Sequence, residues 1–578
     1  MEYSDKIAVR NLVEICASKS VQHVVISPGS RNAPLSISFN RHPKIKTTVI
    51  VDERSAAFYA LGIAQQTQKT VVLVCTSGTA ALNYAPAIAE AYYQKIPLLV
   101  ITADRPAEWV DQMDGQTIRQ HNIFNNYIKK SFNLPTEPDN QEEIWHCTRI
   151  FSEAIESTHY PEAGPVHINF PLREPLYNTK DYSNVPLPAA FSTVTTLLEL
   201  PDFEVETLVK KWNTYSKILI VSGLLHPNKN INAALNKIGE QKQVAVLTET
   251  TSNLFGDNFN RSIDRLLVGI ENKDESDFQP ELLVTIGGPV VSKKIKAFLR
   301  SNPPKEHWHI NASNDYIDTY QNLSKIIPVS PEKILPAFID HSIDAADLST
   351  NHTNNYNQLW KSLDTQLLTV FQSFMEQLKA SEQFSDLGAF QNILEAIPSK
   401  TQLQLANSTS VRYSNLFDTV AKKELKCYSN RGTSGIDGTI STAVGAAAVS
   451  GELTTVISGD LSFLYDSNAL WIKPMPQNLR IIVINNKGGN IFRIIDGPSS
   501  VQELEVFFEA QHDISAEHFA KAFGLDYFSS TNNDSLSAQL NTIYSSTYNK
   551  ACVLEIITNN ESTPAVLKDY FKHLKQTQ

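Results

Sequence analysis

A chain of 578 residues is too long for a single hydrophobic core, so its length predicts two or three domains. Its 42% hydrophobic and 19% charged residues are typical of a globular protein, and its net charge of −11 argues against non-specific binding to nucleic acid. The five cysteines include no CxxC pair, and no stretch has the apolar length of a signal peptide or a membrane span, so we expect a cytoplasmic protein without disulfides or structural zinc.

The first third of the chain repeats a short strand followed by a helix. Runs such as HVVIS, TTVIVD and VVLVCTSG are rich in β-branched residues, and each one precedes a helical pattern. Uniformly apolar strands that alternate with helices predict a parallel sheet with helices on both faces. A stretch rich in Pro and Asn at about 170–191 predicts the end of this domain, which we place at residues 1–182.

The rest of the chain predicts two further domains of the same class. The runs ILIVSG, VAVLTE and ELLVTIGG predict strands of a central domain at 192–342, and a polar stretch near 341–358 predicts a linker. The runs TQLQLANS, LTTVISGD, LRIIVINN and ACVLEIIT predict strands of a third domain at 360–578. The expected fold is therefore three consecutive doubly wound α/β domains, each built on a parallel sheet.

Polar residues follow two of the strands predicted in the third domain. Asp460 ends the run TTVISG, and Asn486, Lys487, Gly488 and Gly489 follow LRIIVIN. Open α/β sheets bind ligands at the carboxyl ends of their strands, and Mg²⁺ prefers carboxylate, amide and carbonyl oxygens together with phosphate and water. Each motif alone is more often a simple turn, but the pair, with a helix between, predicts a metal–diphosphate site.

A glycine-rich segment at 429–438 precedes the small-residue helix STAVGAAAVSG. Its glycines at 432, 435 and 438 depart from the GxGxxG pattern of dinucleotide-binding folds. Free N–H groups at a helix N-terminus bind phosphate, so this loop is a candidate phosphate-binding segment. A flexible loop that merely caps a helix would leave Arg431 without an explanation.

Together these motifs resemble those of thiamin-diphosphate enzymes, although this chain has Leu461 where the family more often has Gly. The resemblance implies that Asp460, Asn486 and the Gly488 carbonyl bind Mg²⁺, with Mn²⁺ as an alternative. It also implies that Glu53, which follows a strand, hydrogen-bonds to the aminopyrimidine of thiamin diphosphate and so promotes loss of the thiazolium C2 proton. Taken alone, Glu53 could equally be an acidic residue at a helix N-terminus. In this family the two halves of the site meet across a subunit interface, which implies a homodimer or a dimer of dimers.

Five segments in order resemble one family more narrowly, the 2-succinyl-5-enolpyruvyl-6-hydroxy-3-cyclohexene-1-carboxylate synthases (MenD) of menaquinone biosynthesis. They are residues 27–32, 52–56, 103–106, 115–120 and 430–438, and residues 460–466 fit the same family. The resemblance covers nearly the whole chain. It implies a transferase that decarboxylates 2-oxoglutarate and adds the remaining four-carbon unit to isochorismate by 1,4-addition.

The resemblance also implies the residues of the site. Both substrates are dianions, and the planar guanidinium of Arg binds carboxylates bidentately, so several cations are expected. This chain has Lys293-Lys294 where the family usually has Lys-Arg, which puts bidentate binding at position 294 in doubt. The cofactor-binding residues are expected to be Glu53, Ser77, Gly78, Arg431, Gly432, Ser434, Gly435, Ile436, Asp460, Leu461, Ser462, Asn486, Gly488, Gly489, Asn490 and Ile491. The substrate-binding residues are expected to be Ser30, Arg31, Arg105, Gln116, Lys293, Lys294, Ser408, Arg412, Arg431, Ile491 and Phe492, and the catalytic ones Glu53, Ser30, Arg31 and Gln116.

Three other interpretations of the sequence remain. Another thiamin enzyme, similar to acetolactate synthase or to a decarboxylase, would act on a pyruvate-sized substrate and need fewer cations. A regulatory protein that binds a nucleotide without catalysis is compatible with three α/β domains, because a fold does not determine a function. An NAD(P)-dependent oxidoreductase is disfavoured because the GxGxxG fingerprint is missing.

Overall fold

The computed structural model describes residues 2–194, 198–271, 273–313, 315–340, 355–495 and 497–576. Residues 341–354, most of the stretch predicted as a second linker, lie outside these ranges. The chain forms two compact units. Unit one comprises residues 1–196, 430–454 and 462–479, and unit two comprises residues 197–429, 455–461 and 480–578. Within the described ranges, no helix is long and apolar enough to cross a membrane.

The amino-terminal part of unit one is built on a parallel sheet. Its strands are β1 (Glu2–Ser4), β2 (His23–Ile26), β3 (Lys46–Val49), β4 (Val71–Cys75), β5 (Leu98–Asp104), β6 (Ser131–Asn133), β7 (Val166–Pro171) and β8 (Thr179–Asp181). Six of them form a sheet in the order β3-β2-β4-β5-β7-β6, with parallel pairing throughout. The short strands β1 and β8 pair antiparallel. The central strands β4 and β5 are wholly buried because helices cover both faces, as the uniformly apolar runs predicted.

The helices of this part connect the strands in the usual way for a doubly wound sheet. They are α1 (Ile7–Ser18), α2 (Ala33–Arg41), α3 (Glu53–Thr67), α4 (Thr79–Asn83), α5 (Ala85–Gln94) and α6 (Gln141–Ser157). The start of α3 is fixed by Asp52, whose side chain accepts hydrogen bonds from the N–H groups of Arg54 and Ser55. Glu53 therefore occupies the first position of a helix directly after β3.

The central part of the chain, in unit two, has a sheet of five parallel strands. These are β9 (Ile218–Ser222), β10 (Val244–Thr248), β11 (Leu282–Ile286), β12 (Glu306–Ile310) and β13 (Leu323–Ile327), in the order β10-β9-β11-β12-β13. Alternate residues of β9, such as Leu219 and Ile220, enter different hydrophobic cores on the two faces of the sheet. The accompanying helices are α7 (Asp202–Trp212), α8 (Lys229–Ile238), α9 (Ile263–Ile270), α10 (Glu275–Phe278), α11 (Lys293–Ser301), α12 (Pro331–Ile334) and α13 (Ala337–Asp340).

The last third of the chain contains a third sheet, in the order β15-β14-β16-β17-β19-β18. Its strands are β14 (Gln402–Leu405), β15 (Lys426–Tyr428), β16 (Thr454–Gly459), β17 (Leu479–Asn485), β18 (Asp526–Ser530) and β19 (Cys552–Ile557). Its helices are α14 (Tyr356–Ala380), α15 (Asp386–Ala396), α16 (Thr409–Ser414), α17 (Thr419–Lys422), α18 (Thr439–Ser450), α19 (Asp460–Tyr465), α20 (Ile491–Ile494), α21 (Ala516–Phe523), α22 (Asn533–Ile543) and α23 (Ser562–Gln576). The apolar face of α14 joins one continuous core with side chains of the central sheet and of β14. The predicted α/β fold, with a parallel sheet in each of three successive parts of the chain, is confirmed, and the predicted domain limits stay predictions.

Within unit one, α3 and α18 cross at very close range. A Cβ atom placed on Gly62 of α3 would lie 2.0 Å from the carbonyl oxygen of Thr442, and one placed on Gly445 of α18 would lie 2.0 Å from the carbonyl oxygen of Tyr59. Only glycine at these two positions lets the backbones approach this closely. The small-residue pattern of STAVGAAAVSG is therefore explained by helix packing.

Candidate functional site

Two of the predicted metal ligands lie side by side in unit two. Asp460 is buried at the end of β16, and its Oδ2 accepts a hydrogen bond of 2.8 Å from the N–H of Gly488, which follows β17. Gly488 has a φ of +150°, and a Cβ atom there would lie 2.7 Å from the carbonyl oxygen of Glu509. The loop therefore requires glycine at this position, and it is held directly against Asp460.

The third predicted ligand, Asn486, is oriented by a buried carboxylate. Its Nδ2 donates a hydrogen bond of 2.9 Å to Oδ2 of Asp386, and Oδ1 of Asp386 accepts one of 2.5 Å from the Thr558 hydroxyl. Burial raises the pKa of Asp386 to about 6. Within the described part of the chain, the buried Oδ1 of Asn486 and both polar side-chain atoms of Asn490 have no hydrogen-bond partner. An unpartnered, buried amide oxygen such as Asn486 Oδ1 suits a ligand that binds oxygen.

These residues fit a hard divalent cation. They do not form the kind of metal site that is built from three or more His, Cys, Asp or Glu side chains, and no such group occurs among the described residues. The arrangement of one carboxylate, one amide oxygen and a backbone carbonyl is instead suited to Mg²⁺, which obtains its remaining ligands from phosphate and water. A diphosphate-bound metal is thus compatible with this part of unit two.

A segment at about 504–514 packs against the same loop. The carboxylate of Glu509, which is buried, pairs with the guanidinium of Arg493, and the Glu509 carbonyl accepts a hydrogen bond of 2.7 Å from Gly489. Nε2 of His512 lies 3.3 Å from Oδ2 of Asp460, and this nearby carboxylate raises the pKa of His512. The predicted apolar residue Phe492 contacts the ring of Phe508, with centroids 5.7 Å apart. Ile491 is half-buried at the start of α20.

Glu53 lies in unit one with a partly buried carboxylate. Its Oε2 accepts a long hydrogen bond of 3.4 Å from Asn83, and burial raises the pKa of its carboxyl group. A raised pKa favours the protonated form, in which a carboxyl group is a hydrogen-bond donor. Ser77 and Gly78, which follow β4, are buried, and Gly78 has a φ of +83° that favours glycine.

Unit one also brings several predicted substrate-binding residues together. Arg31 is buried and donates a hydrogen bond of 2.8 Å to the carbonyl oxygen of Leu172, while its other terminal nitrogen lies 3.3 Å from Glu174. Arg105 donates to the carbonyl oxygen of Gly115 at 2.9 Å and pairs with Asp114 at 3.0 Å. Gln116, next in the chain, is exposed with a φ of +56°, and Ser30 is exposed beside Arg31. Both arginines therefore already have partners within the chain.

The glycine-rich loop differs from the sequence prediction. The N–H groups of Gly432 and Thr433 do not face open space, because both donate hydrogen bonds of 2.7 Å to the buried carboxylate of Glu90. The N-terminus of α18 is likewise occupied, since Asp466 accepts a hydrogen bond of 2.6 Å from the N–H of Ser441. Burial raises the pKa of Asp466 to about 7. These N–H groups therefore bind carboxylates of the chain, whereas the sequence predicted that they bind phosphate.

Another part of the glycine-rich loop, at Ile436, contacts Ser462, which is also a predicted cofactor-binding residue of unit one. Ser434 has a φ of +63°, and Gly435 is half-buried. The Ser462 hydroxyl donates a hydrogen bond of 2.6 Å to the carbonyl oxygen of Ile436, whose side chain is 41% exposed. In unit two, the N–H of Leu461 donates a hydrogen bond of 2.7 Å to Oδ1 of Asp460. Ile436 is therefore an exposed apolar side chain available for contact with a ligand.

The other predicted substrate-binding residues lie in unit two. Arg412 of α16 has its Nη1 3.5 Å from the carbonyl oxygen of Val291, and Ser408 precedes α16 with a φ of +71°. Lys293 is exposed at the start of α11. Lys294 instead pairs with Glu271 at 3.2 Å, so its charge is already partly compensated. The structure thus brings Arg412 close to the turn before Lys293.

Sequence patterns did not reveal three of the buried carboxylates that organise these loops. Glu90, Glu249 and Asp386 each bind groups far away in the chain, the first at a separation of 342 residues. Each lies within or next to an ordinary helix or strand, so nothing nearby in the sequence marks it. The one available signal is an acidic residue in an otherwise apolar, buried environment.

Comparisons with known proteins show to which family the chain is similar. The family model described as "Thiamine pyrophosphate enzyme, N-terminal TPP binding domain" matches residues 8–126, and the model described as "Middle domain of thiamine pyrophosphate" matches residues 195–405. A relative from Flavobacterium johnsoniae is 42% identical over 573 residues, which cover 98% of this chain and 99% of the relative. Relatives from Christiangramia forsetii and Porphyromonas gingivalis are each 40% identical, covering 100% and 99% of this chain and 100% and 98% of their own lengths. All three are named 2-succinyl-5-enolpyruvyl-6-hydroxy-3-cyclohexene-1-carboxylate synthase.

Proposed function

The chain belongs to the 2-succinyl-5-enolpyruvyl-6-hydroxy-3-cyclohexene-1-carboxylate synthase family of thiamin-diphosphate enzymes, and from this premise we propose how its residues act. The reaction is the decarboxylation of 2-oxoglutarate followed by 1,4-addition to isochorismate, a step of menaquinone biosynthesis. Thiamin diphosphate, when bound, supplies the carbanion at its C2 atom and accepts the electron pair released with CO₂. The protein must then hold the cofactor, remove one proton and position two dianions.

In this proposal Glu53 directs the proton removal. Its carboxyl group would donate a hydrogen bond to the aminopyrimidine ring of bound thiamin diphosphate, and the cofactor would supply the base that removes the C2 proton. The raised pKa of Glu53, caused by burial, supports this role because the protonated form is the donor. Ser77 and Gly78 line the same side of unit one, after β4.

Asp460, Asn486 and the carbonyl of Gly488 would hold Mg²⁺, and through it the diphosphate. The observation that carries this assignment is the unpartnered, buried Oδ1 of Asn486 beside the Asp460–Gly488 hydrogen bond, within the residues that the structure describes. Asn490 would add a further polar group. Mn²⁺ fits the same oxygen ligands and remains an alternative.

Each unit has its own candidate cations for the substrate carboxylates. Arg31 and Arg105 are candidates in unit one, and Lys293 and Arg412 are candidates in unit two. Arg431 is a further candidate, held through the loop that Glu90 fixes. Ser30, Gln116 and Ser408 would supply neutral hydrogen bonds, and Ile436, Ile491 and Phe492 would line the apolar side of the site.

We also propose a homodimer, or a dimer of dimers, in which Glu53 of one subunit meets the metal site of its partner. Each unit supports this separately through exposed apolar side chains next to its candidate residues. In unit one, Val49 and Val51 near Glu53 are 59% and 50% exposed, and in unit two Val506 and Phe507 are each 75% exposed. Contiguous exposed apolar surface commonly marks protein interfaces. The cytoplasmic location expected from the sequence stays a prediction.

Exchange of the cofactor C2 proton tests the role of Glu53. In Glu53→Gln, the exchange of this proton with deuterium, followed by NMR on the bound cofactor, is expected to slow by at least about 10²-fold. Glu142→Gln, an exposed control at the start of α6, should exchange at the wild-type rate. Wild-type exchange in Glu53→Gln would show that Glu53 is not the activating carboxylate. Release of CO₂ from 2-oxoglutarate but not from pyruvate would separate this function from an acetolactate-synthase-like one.

A further inference from the structure

A buried carboxylate in the central part of unit two is hydrogen-bonded to the turn that precedes Lys293, one of the candidate substrate-binding cations. Glu249 directly follows β10 and is 7% exposed. Its Oε2 accepts a hydrogen bond of 2.7 Å from the N–H of Val291, and its Oε1 accepts one of 2.8 Å from the N–H of Ser292. Both carboxylate oxygens are therefore bound to one backbone turn, and the side chain also accepts a hydrogen bond from the N–H of Ser252.

That turn begins α11, whose first residue is Lys293. The Ser292 side chain caps the helix by accepting a hydrogen bond of 3.2 Å from the N–H of Ile295, and it also donates to Asp264. Backbone N–H groups at a helix start often bind an anion from solution, but here Glu249 fills that role. Glu249 thus fixes the backbone that carries Lys293.

The residue after Glu249 is attached to the turn that follows Arg412. The N–H of Thr250 donates a hydrogen bond of 2.9 Å to Oδ1 of Asn415, and its hydroxyl donates one of 3.2 Å to the carbonyl oxygen of Ser414. The guanidinium of Arg412 in turn reaches the carbonyl oxygen of Val291 at 3.5 Å. One short segment therefore links the helix of Lys293 to the helix of Arg412.

We propose that Glu249 is a positioning residue that holds Lys293 at a fixed distance from Arg412, so that the two cations bind one dianionic carboxylate substrate together. The proposal rests on the function proposed above, in which both cations bind substrate. Glu249 itself does not touch the substrate, because its two oxygens are bound to backbone N–H groups. The central part of the chain would then contribute directly to substrate binding.

Steady-state kinetics of the holoenzyme test this proposal. Glu249→Gln removes one acceptor and places an NH₂ group against a backbone N–H, which should displace the start of α11. We expect KM for one of the two dianionic substrates to rise about tenfold, with kcat within about threefold of wild type and unchanged affinity for thiamin diphosphate. Glu240→Gln, which removes an exposed carboxylate from the same part of the chain, should keep wild-type constants.

Two further variants separate this proposal from the function on which it rests. Lys293→Met and Arg412→Met should each raise the same KM as Glu249→Gln. If neither does, the proposed substrate role and the positioning role both fail. Suppose that Lys293→Met and Arg412→Met both raise this KM. If Glu249→Gln then leaves the same KM unchanged, or impairs both KM values and kcat alike, only the positioning role is overturned.

A double variant and a conservative variant complete the test. In Glu249→Gln/Lys293→Met, the KM effects should be smaller than the product of the single effects, because both act through the same cation. A full product would contradict the proposal. If Glu249→Gln does not fold, Glu249→Asp carries the test, since its carboxylate is one methylene too short to reach both N–H groups. It should raise the same single KM, and an equal rise in both KM values, or in neither, would overturn the proposal.

Discussion

At the scale of single residues, buried carboxylates organise the loops in which the candidate ligands lie. Glu90 binds the glycine-rich loop, Glu249 binds the turn before Lys293, and Asp386 binds the amide of Asn486. A buried carboxylate is stable only when it accepts hydrogen bonds, so each one constrains the backbone or side chain that donates to it. The geometry of the site therefore depends on residues that do not belong to it.

Asp386 offers a direct test of this dependence. Asp386→Ala should leave the Asn486 amide free to rotate, so that its Oδ1 no longer faces the metal. We expect the affinity for Mg²⁺ in the presence of thiamin diphosphate to fall by about 10–100-fold, the usual effect of losing a group that orients a metal ligand.

Isothermal titration calorimetry with Mg²⁺ measures that affinity independently of catalysis. Asp534→Ala, at an exposed position in the first turn of α22, is the matched control and should bind Mg²⁺ like the wild type. An Asp386→Ala protein that is folded by circular dichroism and binds Mg²⁺ normally would show that Asn486 needs no such support.

The sequence alone identified candidate residues that follow strands. Asp460 and Asn486 stand out because a short polar motif directly follows an apolar run, whereas Glu53 was identified through the family resemblance. Glu90 and Asp386 were not predicted, because their partners lie 342 and 100 residues away and only the folded chain brings them together. For the same reason the sequence predicted that this loop binds phosphate, although the N–H groups of Gly432 and Thr433 bind Glu90.

At the scale of elements, the crossing of α3 and α18 depends on the absence of two side chains. The sequence predicted the small-residue helix but not its partner, because no pattern within α18 identifies the helix that packs on it. Because α3 begins at Glu53 and α18 follows the glycine-rich loop, this crossing holds together the two helices that adjoin these candidate residues.

Gly445→Ala should therefore be strongly destabilising. The added methyl group would overlap the carbonyl oxygen of Tyr59, so the helices must separate, at a cost of about 2–3 kcal/mol or more. Gly388→Ala, in α15, is the matched control, because its nearest neighbour would lie 3.7 Å away and alanine favours helix by up to about 1 kcal/mol. Differential scanning calorimetry should show a lower melting temperature for the first variant alone. Equal melting temperatures would contradict the close crossing.

At the scale of the whole molecule, buried neutral histidines make stability depend on pH. In unit one, burial lowers the pKa of His167 to about 3, and its Nε2 lies 2.8 Å from the Thr102 hydroxyl. In unit two, burial lowers the pKa of His307 to about 4, with Nε2 2.8 Å from the Thr285 hydroxyl. In the unfolded chain both would titrate near pH 6.5.

The sign of the effect follows from these pKa values. As the pH falls below about 6.5, the unfolded chain takes up protons that the folded protein does not, so stability decreases. Between pH 7.5 and 5.5 each histidine should reduce the free energy of unfolding by about 1.4 kcal/mol. The double variant His167→Gln/His307→Gln should show a smaller decrease in melting temperature over this range than the wild type. An identical decrease would mean that these histidines are not held neutral.

Mixing two inactive variants tests directly whether one active site uses residues from two subunits. Glu53→Gln and Asp460→Ala homodimers should each be inactive. When the two variant chains are mixed by unfolding and refolding, half of the dimers are heterodimers, and each of these should contain one intact site, which restores about a quarter of wild-type activity. If Glu53 and Asp460 of the same chain form the site, every site in the mixture keeps one defect, and no activity will return.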